Sequence, residues 1–153
     1  MFLDFENKIS DALKLIDSVP GYDQTAARLK GLVIEYLPSL PDRARITLRS
    51  KIIVGPAAIV DGDDGPVGLA GTLVHEEFHA RQHPLLKTAS FWVGVFTRTP
   101  VMARFEWPAY YAQVDFLRAL STSRPDLAQA AGREIDAIIE AVHRYYGPPP
   151  FEL

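Results

Sequence analysis

Residues 73–84 read LVHEEFHARQHP, which sets His75 and His79 four positions apart with Glu76 directly after the first. Four residues make slightly more than one helical turn, so on a helix both imidazoles leave the same face, close enough to share one metal ion. Glu76 stands about 100° around the helix from His75. There a carboxylate can take a proton from water instead of acting as a ligand. The chain has no cysteine, so a metal site must draw on His, Asp or Glu. A catalytic zinc site takes three protein ligands and leaves one position to water, so a third His, Glu or Asp is required. His83 lies about 80° off the His75 direction, too far for easy joint coordination, and reads as a residue that supports a ligand from behind or lies on the surface. A continuation of the H-E-x-x-H-x-x-G-x-x-H kind would need Gly at 82 and His at 85, where the chain has Gln82 and Leu85. His143, in the last helical pattern, reads as a partnered or solvated side chain. The competing reading of residues 75–79 is a pair of solvated histidines on an amphipathic helix.

The elements that must carry these residues follow from periodicity and punctuation. Phe5, Ile9, Leu13 and Ile16 recur at helical spacing until Pro20-Gly21. A second helix is predicted from about Asp23 to Leu37, with Ala26, Leu29, Val33 and Tyr36 inward. In ARITLRSKIIV, Ile46, Leu48, Ile52 and Val54 alternate with Arg45, Thr47, Arg49 and Lys51, which predicts a strand or hairpin with one buried face. AAIVD reads as a further short strand and DGDDGP as a turn. The motif helix then runs from about Pro66 to His83 and stops before Pro84. Gly71 would let a neighbouring element approach it closely. LLKTASFWVGVFTRTPVM reads as a connection in which Phe91, Trp92 and Phe96 fill the core or wall a cleft. A helix from about Glu106 to Leu120 follows, with Ala109, Ala112, Phe116 and Leu120 inward. The final helix carries Leu127, Ala131, Ile135, Ile138, Val142 and Tyr145, and GPPPFEL cannot be helical. No repeat or linker divides the chain. The expected fold is α+β: one domain over residues 1–153, about five helices around a small antiparallel sheet.

Composition narrows the partners. Hydrophobic residues make up 48% and charged residues 23% of 153 residues, an ordinary globular mix. A net charge of −3 with scattered basic residues gives no reason to expect nucleic acid or an anionic membrane as partner. ASFWVGVF, the most apolar run, is too short to span a bilayer. MFLDFENKISD lacks a basic-then-apolar leader pattern, so a cytoplasmic location is expected.

Downstream stands RFEWPAYYAQVDF, residues 104–116. With HEEFH, this stretch resembles the small gluzincin-type zinc metallopeptidases, minigluzincin-like proteins among them, which carry HExxH on one helix and a glutamate ligand on the next. That glutamate often sits in a pattern like E-x-E-A-Tyr or E-x-E-A-Asp, and this chain has Glu106-Trp107-Pro108-Ala109-Tyr110. Gln82 also matches members that read HExxHxxQ. The likeness spans about Leu69 to Gln113. It implies a zincin-like domain holding Zn2+ through His75, His79 and Glu106, with Glu76 as general base in hydrolysis of a peptide or protein substrate. The developing oxyanion needs a donor, for which Tyr110, Tyr111 and Arg104 are candidates; Tyr110 joins Glu76 as the catalytic pair. An edge of RITLRSKIIV, or AAIVD, would pair with an extended peptide.

Two positions depart from the pattern. Pro108 replaces a second acid and would place Glu106 at the very start of its helix or on a kink. Tyr110 stands where an Asp would orient a histidine ligand, and a phenol orients less strongly than a carboxylate. Asp115 is a further orienting candidate or a solvated acid. The alternative is a latent or non-catalytic zincin-like module acting through a protein partner, with the tail, Glu152 included, reaching the metal in a latent form.

Overall fold

The first apolar pattern folds as α1 (Phe2–Ser18), whose stripe of Phe5, Ala12, Leu15 and Ile16 is buried. The computed structural model describes residues 2–47, 49–59, 65–82 and 100–147. After the turn at Gly21, which takes a φ of +86° that favours glycine, α2 (Asp23–Lys30) buries Ala26 and Leu29. The expected continuation of this helix to Leu37 does not occur. Gly31 caps it: its N–H donates to the Arg28 carbonyl and the Leu32 N–H to the Leu29 carbonyl, and Val33 is 58% exposed rather than inward. Glycine costs about 1 kcal/mol inside a helix, and the residues beyond it gain strand hydrogen bonds instead. Ile34–Tyr36 forms β1.

The hairpin expected in ARITLRSKIIV is present as β2 (Ala44–Ile46) and β3 (Ile52–Val54), with Ile52 and Val54 fully buried. The sheet order is β1-β3-β2: β2 pairs antiparallel with β3, and β1 pairs parallel with it, Ile34 against Ile52. The sheet is therefore mixed, not antiparallel. Ile52 N–H to Val33 C=O and Leu37 N–H to Val54 C=O bracket the parallel pairing. AAIVD gives no strand among the described residues. Pro56–Ala58 is a 3-10 turn started by a proline that has no N–H to offer a ladder.

At the centre lies α3 (Val67–Arg81), buried from Val67 through Glu77. It touches α1, α2 and β2 on some sides, and on the others α4 (Pro100–Ser123) and α5 (Ala128–Tyr146). A helix enclosed on so many sides has no solvent stripe. Gly71 faces Gln113 and Leu117 of α4, each within 3.5 Å of where a methyl group would sit, which is the close approach its residue type allows. Gly68 is tighter. A methyl there would lie 2.7 Å from a Glu134 oxygen and 2.9 Å from Arg43 Nη2. These two groups form a bidentate pair at 2.8 and 3.0 Å, tying the approach to β2 onto α5 across the surface of α3.

α4 begins at Pro100, so Glu106 sits well inside the helix and not at its start, and Pro108 is an interior proline. Proline at 108 removes one helical hydrogen bond. Burial of Ala109, Val114, Phe116, Leu117 and Leu120 holds the helix through that break. The connection with Phe91, Trp92 and Phe96, residues 61–64 of the turn DGDDGP, His83, Leu48, the Arg104 side chain and the tail with Glu152 lie outside the described residues. Among the described residues no helix is long and apolar enough to cross a membrane. The coarse class is α+β: among the described residues, five α-helices with a small mixed sheet.

The two α3 glycines predict different outcomes. Gly68→Ala must displace a partly buried ion pair and is expected to destabilise by roughly 1–3 kcal/mol. Gly71→Ala meets one tight contact, Gln113 Nε2 at 3.3 Å, which that flexible side chain can relieve by a small shift, and the gain in helix propensity, up to about 1 kcal/mol, offsets it. Urea unfolding of both variants checks the order; equal losses would remove the role assigned to the Arg43–Glu134 pair.

Candidate metal centre

His75 and His79 leave one face of α3 as their spacing requires, and α4 brings Glu106 to the same point. His75 Nε2 lies 3.2 Å from Glu106 Oε2, His79 Nε2 lies 3.4 Å from that oxygen, and the two nitrogens are 3.1 Å apart. These three side chains are the one group of three or more potential ligands among the described residues whose donor atoms lie together. A tetrahedral zinc ion with bonds of 2.0–2.1 Å needs donor atoms about 3.3 Å apart. All three edges of the triangle fall near that value, and the set of two imidazole nitrogens and one carboxylate oxygen suits zinc chemically. The residues present therefore fit the ion on both distance and donor type.

Burial and mutual charge set the protonation of the group. Desolvation alone would raise the Glu106 carboxyl, but hydrogen bonds and charge from both histidines outweigh it and hold the group down at about 2. For His79, burial opposes the charged ring, yet the Glu106 carboxylate and Gln82 together lift its pKa above 6.5. Each effect is the counterpart of the other: proton and carboxylate stabilise one another across 3.4 Å.

Glu76 follows His75 into a buried position, 6% exposed. Burial raises its carboxyl pKa, and the charges of His75 and His79 work against that rise. The Ile46 backbone N–H also acts on it to favour the ionised form. The hairpin register explains why this amide is available. Gly55 N–H reaches Arg43 C=O and Thr47 N–H reaches Lys51 C=O, so residues 43 and 47 of the strand face β3. In the alternating antiparallel pattern, Ala44 and Ile46 then direct their backbone groups outward, toward α3.

Tyr110, one turn after Glu106, stacks its ring edge-on against His75, with centroids 4.6 Å apart. Burial and the Glu106 charge push its phenol well above the usual tyrosine range, so it stays an O–H donor. It does not take the orienting role of the missing carboxylate, because His75 Nδ1 is buried with no hydrogen-bond partner among the described residues. Asp115 is exposed and pairs loosely with Arg118 at 3.9 Å, and His143 is exposed; neither belongs to the centre. Tyr111 is half-buried.

Three features of the site have no local signature in the sequence. Tyr146, at the end of α5, lies 6.3 Å from the Tyr110 ring, and burial together with the Glu106 and Asp42 charges pushes its phenol up to about 12. The Ile46 amide required the hairpin register. Glu77, beside Glu76, points to the opposite side of α3, 1% exposed, and pairs with Arg28 of α2 and with Arg81 at 3.0 Å.

No protein-family model, no curated protein and no solved structure matches this chain. The site therefore rests on its own geometry.

Two measurements follow from the adjacent glutamates and from the charges. Glu77→Gln removes the buried side of a charged, partly buried contact with Arg28 and Arg81 and is expected to cost roughly 1–3 kcal/mol. Glu76→Gln replaces a buried carboxylate with an amide and is expected to leave stability unchanged or higher. Equilibrium unfolding of the two variants separates them, and reversed ranks would show that the two roles are misassigned.

In metal-free protein, the His79 contribution to stability is whole below pH 6.5 and is lost as pH rises through the raised folded value. The Glu106 contribution is present above pH 4.5 and is lost as pH falls toward about 2. A metal needs the neutral ring. The Tm gap between zinc-saturated and metal-free protein should thus widen from about pH 6 to about pH 8, and a constant gap would mean that no proton is displaced.

Proposed function

We propose that this chain is a zinc-dependent hydrolase of the gluzincin type on a zincin-like domain, acting in the cytoplasm on a peptide or protein substrate. The observation that carries this reading is the donor triangle of His75, His79 and Glu106 with Glu76 beside it on the same buried helix. Bound there, the ion supplies Lewis acidity, lowering the pKa of a water and polarising a carbonyl. The chain's own residues supply the rest. Glu76, with its pKa raised by burial, is suited to accept a proton from water and return it to the leaving amine. The Ile46 amide and the enclosing helix hold that carboxylate in place. Tyr110, kept protonated, offers its O–H to charge developing on the carbonyl oxygen. On the outward edge of β2 the Ile46 amide is taken by Glu76, so an extended substrate would pair with what that edge leaves beside it.

A second reading has its own support. Among the described residues His75 Nδ1 has no hydrogen-bond partner, and an unanchored ligand suits a site that binds metal for a structural or latent role. In that case the module acts through a protein partner.

Elemental mass spectrometry and a broad peptide library decide between them. The hydrolase reading expects one zinc per chain, loss of zinc in Glu106→Gln, and turnover that falls by at least about 100-fold in Glu76→Gln with zinc retained. Stoichiometric zinc with no turnover in the wild type would transfer the case to the non-catalytic module. Absence of any bound divalent ion would end both readings.

A further inference from the structure

The two histidines of the centre are held unequally. Among the described residues His75 Nδ1 has no hydrogen-bond partner, whereas His79 Nδ1 lies 3.1 Å from the side-chain oxygen of Gln82. Gln82 is the residue at which α3 ends: its backbone turns to ψ 141°, and its N–H still reaches back to the His79 carbonyl at 3.1 Å. One residue thus makes two bonds to His79, one to the main chain and one to the ring. The ring bond has a defined direction. His79 Nε2 is the atom that faces His75 and Glu106, so its lone pair must stay free for a metal, and the ring proton must sit on Nδ1. An amide oxygen at Gln82 accepts that proton and no other arrangement of the same contact serves the site.

We infer that Gln82 is a positioning residue for the metal centre: its side-chain oxygen fixes the His79 tautomer and ring orientation, making His79 the pre-set ligand and His75 the one ordered by the metal itself. The inference rests on the metal-binding reading above and deepens it. A neutral His75 whose Nε2 lone pair faces the site carries its N–H on the buried, unpartnered Nδ1, so the pull on the ion comes disproportionately from the His79 side. The exit from the helix and the tautomer of a ligand are set together. The backbone bond from residue 82 survives any side-chain substitution except proline, which separates the positioning role from helix termination.

The test uses the full chain in two arms. In the first, nitrogen-15 imidazole spectra of metal-free protein at alkaline pH read the His79 tautomer directly. Wild type should show the proton on Nδ1, Gln82→Leu should shift population to the other tautomer, and Gln82→Glu should restore Nδ1. In the second, competition with a chromophoric chelator reads zinc affinity, which should fall about 10- to 100-fold in Gln82→Leu and recover in Gln82→Glu. Circular dichroism and Tm of the metal-free variants confirm that the helix is intact. An unchanged tautomer in Gln82→Leu would overturn the inference, and so would a shifted tautomer with unchanged zinc affinity. If wild type binds no zinc at all, the metal reading fails, while the first arm still reports whether Gln82 holds the ring.

Discussion

A helix buried on nearly all sides that nonetheless carries His75, Glu76, Glu77 and His79 is the constraint around which the rest of the molecule is arranged. Polar groups taken out of water must find partners or remain a net cost. Each partner comes from a different direction: Arg28 of α2 for Glu77, the outward amide of β2 for Glu76, and Glu106 of α4 for both histidines. The placement of α2, α4 and β2 around α3 therefore satisfies polarity as well as packing. Apolar residues such as Leu69, Leu73 and Val74 give the burial energy, but they do not specify which element lies where.

The same constraint separates two glutamates that are neighbours in the chain. Glu77 is answered by two guanidinium groups and ties α2 to α3, which is a stabilising role. Glu76 has the Ile46 amide and the charges of two imidazoles near it and, among the described residues, no cationic side chain committed to it, which on the proposed reading suits its carboxylate to exchange a proton. The proposed chemistry depends on this difference in surroundings and not on any difference in residue type. Tyr110 and Tyr146 extend the pattern, since both phenols sit near the Glu106 charge and are held in the protonated state.

How much of this was legible in the sequence follows from how local each feature is. The shared face of His75 and His79 is a property of helix geometry alone, and it holds. Gly71 announced a close approach, and α4 makes it. Glu106 came from resemblance to a family pattern; the structure brings its carboxylate to the histidines, from a helix that starts earlier than Pro108 suggested. A local rule for proline lost there to the burial of Val114, Phe116 and Leu117 farther along the same helix. β1 was missed because three residues are too few to show alternation, and because Val33 and Tyr36 also fit a helical period. The parallel pairing, the Ile46 amide and the Arg28–Glu77 contact depend on tertiary placement, which no window of sequence contains.

The pair between Arg43 and Glu134 joins residues 91 positions apart, the longest separation among the hydrogen bonds described above. Long-range contacts of this kind form late, because closing a large loop costs chain entropy before the contact returns anything. All three candidate ligand residues stand in the chain well before Glu134. A nascent chain ending before α5 therefore carries the whole candidate set but not the brace that fixes β2, and with it the Ile46 amide, against the motif helix. On the proposed reading, the capacity to hold an ion and the alignment of Glu76 are thus separable in folding time, and the second waits on the last helix.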